Sequence, residues 1–159
     1  MDYWPKYIIV HHSAAASPQP QFEAINEWHK QRDFPPSLSG FFVGYHRVIE
    51  TDGTIQIARG DLERDCDALG HNFDSLSVCL VGNFDHSDPT PAQVESLGET
   101  LFGWCSKYKL GATDIFPHRK FAAKSCYGAN LPDQWAAIVY LRYAIAQLQS
   151  AHDALMRGV

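Results

Sequence analysis

Three side chains from distant stretches of the chain carry donor atoms that suit a single divalent ion. They are His11, where a β-branched run ends, His118, ahead of a loop, and Cys126, eight residues further on. Imidazole nitrogen and thiolate sulfur both suit zinc, and a catalytic zinc takes three protein ligands and keeps a fourth position open. Such an ion lowers the pKa of a bound water towards about 7 and so favours attack on a carbonyl at neutral pH. The residues alone leave alternatives open. Eight histidines allow many triples. His12 also competes with His11: on a strand His11 shares a face with Ile9 and Tyr7, and His12 shares the other with Val10 and Ile8.

The elements that must position these groups are legible in outline. Tyr7 to Val10 reads as a strand that gives way to polar side chains at His11-His12-Ser13, followed by a small and Pro-rich stretch from Ala14 to Pro20. Phe22 to Arg32 reads as a helix with Phe22, Ile25 and Trp28 or His29 on one face. Trp28 is read as core or groove wall and His29 as surface. Tyr45 to Glu50 and Ile55 to Ala58 read as paired strands around an Asp52-Gly53 hairpin signal, and Leu76 to Val81 as a buried strand. Thr90-Pro91-Ala92-Gln93 is a helix start with Thr at the N-cap, Pro at N1 and Gln at N3, and the helix should run to about Tyr108. A short segment near Ile115 leads to His118. Leu131-Pro132-Asp133 opens a last helix reaching about Met156. There Ile138, Leu141, Ile145, Leu148 and Leu155 follow a/d spacing, with His152 at one a position. That stripe is expected to pack on its own domain, ahead of a dimer seam or a membrane contact. The order of elements predicts an α/β fold, a central mixed β-sheet flanked by helices. It forms one domain over residues 1–159, with 136–159 as a C-terminal helical extension.

Composition sets limits on partners. With 159 residues the chain can bury one sizeable core. A net charge of −5 and the lack of a Lys/Arg cluster argue against nucleic acid, and no apolar run is long enough for membrane insertion. The first residues, Met1 to Lys6, hold an acid and no apolar run before a cleavage site, so synthesis in a cytoplasm is expected. None of the four cysteines forms a CxxC pair, and free thiols are expected in a reducing compartment. Cys79 and Cys105 sit in apolar strand-like and helix-like runs and are assigned to the core. Cys66 has no assignment.

Six ordered motifs carry a resemblance: Val10-His11-His12-Ser13-Ala14, Gly44-Tyr45-His46-Arg47-Val48-Ile49, Asp52-Gly53-Thr54-Ile55, Leu80-Val81-Gly82-Asn83-Phe84, Thr90-Pro91-Ala92-Gln93, and His118-Arg119 with Lys124-Ser125-Cys126. Over roughly residues 6 to 135 the chain resembles the type 2 N-acetylmuramoyl-L-alanine amidases, which include T7 lysozyme-like phage endolysins and peptidoglycan recognition proteins. The short single-domain phage enzymes are the nearest in appearance. The resemblance implies one Zn2+ held by His11, His118 and Cys126, with Tyr45 and Lys124 as catalytic residues. It implies hydrolysis of the amide between N-acetylmuramic acid and L-alanine in bacterial peptidoglycan, by a monomer acting on the cell wall of an infected bacterial host after release.

Lys124 would then stand by the developing oxyanion, and Tyr45 would orient water or help move its proton. His46 is assigned a structural role, and His86 and His152 a solvated one. Asn72, in His71-Asn72, is a substrate candidate, with satisfaction of backbone groups the favoured reading. One departure stands out. Where the family often has a histidine, five residues before that Asn, this chain has Asp67. An ionised carboxylate only accepts hydrogen bonds, so Asp67 is expected to favour an amine on the peptide stem or to pair with Arg64. Non-catalytic wall-binding relatives typically lack the ligand cysteine, so Cys126, with Tyr45 and Lys124, argues for an enzyme. A regulatory role towards another phage or host protein, or a different zinc hydrolase on this fold, are the further alternatives.

Overall fold

Period-two patterning divides the central strands into one apolar face and one chemically equipped face. The computed structural model describes residues 4–15 and 20–158, so the Pro-rich stretch lies partly outside the described residues. Strand β1 (Tyr7–His12) runs parallel to both β4 (Ser75–Leu80) and β5 (Ile115–Pro117). Strand β2 (Arg47–Ile49) pairs parallel with β4 and antiparallel with β3 (Ile55–Ile57). The order is β3-β2-β4-β1-β5, a mixed sheet. The β2–β3 hairpin turns at Asp52-Gly53. Gly53 takes φ +88°, a conformation side-chain-bearing residues avoid, and the Asp52 carboxylate accepts from Thr54 N at 2.8 Å.

Ile8, Val10, Leu76, Val78, Leu80 and Ile49 point to one side, where α2 (Pro91–Tyr108) and α3 (Trp135–Arg157) cover them with Leu97, Leu101, Trp104 and Val139. Thr90 caps α2 in a reciprocal capping box. The same Gln93 reaches from the first turn to the Val81 carbonyl at 2.7 Å, tying the helix to the end of β4. On the opposite side α1 (Phe22–Lys30) packs Phe22 and Ile25 with Val43, Val48 and Val81.

The C-terminal helix departs from the sequence reading. Ile138, Leu141, Ile145, Leu148 and Leu155 are 40, 45, 53, 70 and 73% exposed. The face that docks carries Ala136 and Val139, with Tyr140 and Tyr143 partly buried beside them. The small residues decide this. Gly98 on α2 has no Cβ where one would meet the Tyr143 ring at 2.8 Å, so α3 approaches through Tyr143 rather than through its leucine stripe. Among the described residues no helix is long and apolar enough to cross a membrane.

Candidate metal centre and groove

The alternation that builds the core also separates the two adjacent histidines. His12 follows Ile8 and Val10 to the helix side, where its Nδ1 accepts from Phe84 N at 3.0 Å and its ring lies by Phe84. His11 follows Ile9 to the other side, next to β4, whose Ser75, Ser77 and Cys79 alternate with Leu76, Val78 and Leu80. These small polar side chains leave room for buried imidazoles and carboxylates. His46 illustrates this: it is 0% exposed, its Nδ1 accepts from Ser77 N at 3.0 Å, and its Nε2 lies 3.0 Å from the Glu63 carbonyl.

His118 and Cys126 come from the loop after β5. His118 opens a short 3₁₀ turn (His118–Lys120). Its neighbour Arg119 anchors the loop that follows. The Arg119 backbone N–H donates to Cys126 O at 2.7 Å, and its guanidinium reaches Gly128 O, Leu131 O and the Asp133 carboxylate at 2.6–2.7 Å. From the other side Asp85 accepts from Ser125 Oγ and Ala129 N. Neither Arg119 nor Asp85 was assigned from the sequence; the only hint was Arg119 next to a candidate ligand.

His11, His118 and Cys126 thereby offer ligand atoms all within 4.8 Å of one another, and all three residues are buried. His11 Nδ1 stands 3.7 Å from Cys126 Sγ. Nitrogen and sulfur ligands at ordinary zinc distances and a tetrahedral angle stand about 3.6 Å apart, so the donor set and its spacing fit zinc. The charge states fit as well. Burial, reinforced by His12 and Lys124, pushes the His11 imidazole down to about 3. Burial, then His11 and Lys124, does the same to His118. Both are neutral and able to ligate at pH 7. Burial pushes the Cys126 thiol up to about 12, so a metal must displace its proton.

The cluster forms the floor of a groove of about 880 Å³, within the range of small-molecule sites. Trp28, Arg32, Phe34, Leu69, Asn72 and Lys124 are among the residues that line it. Buried Arg59 braces the loops behind the walls by donating to the carbonyls of Pro35, Val43 and Arg64. The Tyr45 ring lies 4.9 Å from that of His11. Burial, with Cys79 and Cys126 nearby, holds its phenol well above the usual range, so it stays protonated.

Two residues are placed differently from the sequence reading. His29, expected at the surface, is 2% exposed; its Nδ1 accepts from Gly44 N and its ring stacks on Phe34 at 4.4 Å. Trp28 is the residue left at the groove. Asp67, expected to face substrate or pair with Arg64, has a side chain with no exposure. Its Oδ2 lies 2.5 Å from His11 Nε2, and Arg64 stacks over Phe73 instead. The reason is the polar face of β4. It leaves a pocket into which Asp65 and Asp67 turn together, where Asp65 accepts from Ser75 Oγ. Asn72 Oδ1 accepts from Ala68 N, holding the loop around Asp67. His46 is structural as read. Cys79 and Cys105 are core residues, all four cysteines are free thiols, and Cys66 lines the groove.

The comparisons with known proteins bear on this site directly. The model of the N-acetylmuramoyl-L-alanine amidase family matches residues 2–129. The chain belongs to that family. The endolysin of Escherichia phage T7 is 34% identical over 134 residues, covering 80% of this chain and 83% of the phage protein. Among solved structures, the N-acetylmuramoyl-L-alanine amidase LysC from Clostridium intestinale superposes with a TM-score of 0.70 at 31% identity, over 82% of this chain and 81% of its own. Drosophila peptidoglycan recognition protein SD shares the fold, with a TM-score of 0.69 at 20% identity over 84% and 79%. The chain is thus a peptidoglycan amidase of the endolysin kind, and the groove above His11, His118 and Cys126 is the candidate place for its reaction.

Proposed function

We propose that the amidase works as a zinc enzyme, with His11, His118 and Cys126 holding the ion, and cuts the bond between N-acetylmuramic acid and L-alanine at the floor of the groove. The observation that carries this reading is the buried convergence of two neutral imidazoles and a thiol at zinc-ligand spacing. A zinc ion bound there would supply Lewis-acid polarisation of the scissile carbonyl and activation of water.

The chain's own residues supply the rest. Lys124, at the groove rim, places an ammonium beside the carbonyl oxygen as negative charge develops on it, where a charged donor has most effect. Tyr45 keeps its proton in this buried site before any ion binds, and its role is to orient by donating a hydrogen bond. Trp28 and Phe34 offer flat apolar surface to the substrate, and Arg32, which stacks over Trp28 at 4.6 Å, offers a guanidinium to its carboxylates. The assigned site of action is the cell wall of an infected host.

Metal content and activity should fall together. Purified protein should carry about one zinc per chain. Cys126→Ser should lose most of the zinc and at least about a hundredfold in activity. Full activity in a zinc-free Cys126→Ser protein would defeat the reading.

A further inference from the structure

We infer that Asp67 is a positioning residue, whose buried carboxylate holds His11 with its proton on Nε2 so that Nδ1 is presented to the metal. This rests on the zinc reading proposed above and goes beyond it, because Asp67 is not one of the three ligands.

The geometry is directional. An imidazole has two nitrogens, and a hydrogen bond at one decides the tautomer at the other. Asp67 Oδ2 sits 2.5 Å from His11 Nε2 with both side chains out of solvent. An ionised carboxylate accepts and does not donate, so with Asp67 ionised the proton lies on Nε2 and the lone pair on Nδ1. Nδ1 is the atom that faces Cys126 Sγ at 3.7 Å. A metal-ligating histidine whose distal N–H is bound to a carboxylate is a recurring arrangement, and it raises the basicity of the ligand.

The surroundings show why a carboxylate at this place serves the ligand. The Asp67 carboxyl group is buried beside that of Asp65, with which it shares a side-chain hydrogen bond, and burial raises it to about 7. Held ionised beside a neutral imidazole, a buried carboxylate is costly. A dication on the far side of the same imidazole offsets that cost, because its charge acts through the ring on the carboxylate. Besides its contact with Asp65, the carboxylate meets the distal nitrogen of a metal-facing ring at Oδ2. The loop itself is held by other contacts, Asn72 Oδ1 to Ala68 N and Cys66 N to Gly44 O at 2.9 Å.

The test compares Asp67→Asn and Asp67→Ala with the parent and with Cys126→Ser, by zinc affinity against a fluorescent chelator and by thermal unfolding of the metal-free proteins. The expected result is a zinc affinity about 10- to 100-fold weaker for Asp67→Ala and a smaller loss for Asp67→Asn, whose amide oxygen can still accept from Nε2–H. Metal-free melting temperatures should stay close to the parent's, since removing the buried carboxylate relieves its desolvation as it removes its hydrogen bonds. In the metal-free parent, nitrogen-15 NMR of the histidine rings should show His11 as the Nε2–H tautomer with a strongly deshielded proton, lost in Asp67→Ala. Parent-like zinc affinity in both Asp67 variants, with binding abolished in Cys126→Ser, would overturn the positioning role and leave the metal site standing. Parent-like affinity in Cys126→Ser as well would instead overturn the zinc reading itself. If Asp67→Ala fails to fold, Asp67→Asn and the NMR tautomer decide the question.

Discussion

Acidifying the medium from about pH 7.5 to about pH 5.5 should weaken zinc binding at least about a hundredfold, with neither imidazole ligand contributing a proton. Cys126 is a thiol pushed to about 12 by burial. At every pH in this range it must give up one proton to bind the ion, and each unit of pH changes the thiolate fraction tenfold, or about 1.4 kcal/mol. His11 and His118 are held at about 3. They are already neutral at pH 5.5 and contribute no proton. Two imidazoles at an ordinary value near 6.5 would each be about nine-tenths protonated there, and zinc would displace close to three protons in all. Titration calorimetry at about pH 5.5, in buffers of contrasting ionisation enthalpy, counts the protons directly. One to two protons per zinc, from Cys126 and from Asp67, which burial raises to about 7, support the buried, preset imidazoles. About three would refute that electrostatic account, and none would remove Cys126 from the ligand set.

Further outcomes follow from the same structure. Buried His46 is lowered by desolvation to about 4. The unfolded chain therefore binds more protons between about pH 6.5 and 4, and stability present above that window is lost as pH falls through it. Urea unfolding of the metal-free protein should show His46 contributing about 2 kcal/mol of this loss between about pH 7 and 5; an equally steep loss in His46→Gln would contradict it. Leu101→Ala, in the fully buried layer between sheet and helices, should cost about 2–5 kcal/mol. Leu148→Ser, at 70% exposure, should stay within about 0.5 kcal/mol of the parent in the same unfolding experiment. Tyr45→Phe should lower kcat and leave the zinc content and the high-pH limb of the rate profile unchanged, because the protonated phenol orients without titrating. A shifted high-pH limb would make Tyr45 an acid–base group.

The parts of this molecule set by local chemistry were readable from its sequence. Thr90-Pro91-Ala92-Gln93 names its own capping box, Asp52-Gly53 its own turn, and the apolar runs at β1 and β4 their burial. The ligand triple was readable only through ordered motifs. Choosing His11 over His12 depends on which face of β1 the helices cover, and that is a tertiary fact. The same limit explains His29 and Asp67. A histidine on an amphipathic helix looks solvated until Phe34 and Gly44 N close over it. An aspartate in a polar loop looks substrate-facing until Ser75, Ser77 and Cys79 make a polar cavity for it. One signal was present and unread. Ser75, Ser77 and Cys79 alternate with Leu76, Val78 and Leu80, which marks a strand with a small polar face. The a/d stripe of α3 misled in the opposite sense, because Gly98 invites Tyr143, and spacing alone does not weigh a glycine on another helix.

The most direct test of the whole account is digestion of purified peptidoglycan by the protein, with and without a chelator, followed by mass spectrometry. The account predicts released stem peptides with a free L-alanine amine, glycan strands left intact, no products in chelator, and recovery on adding zinc. Cleaved glycan, or unchanged release of products in chelator, would contradict it.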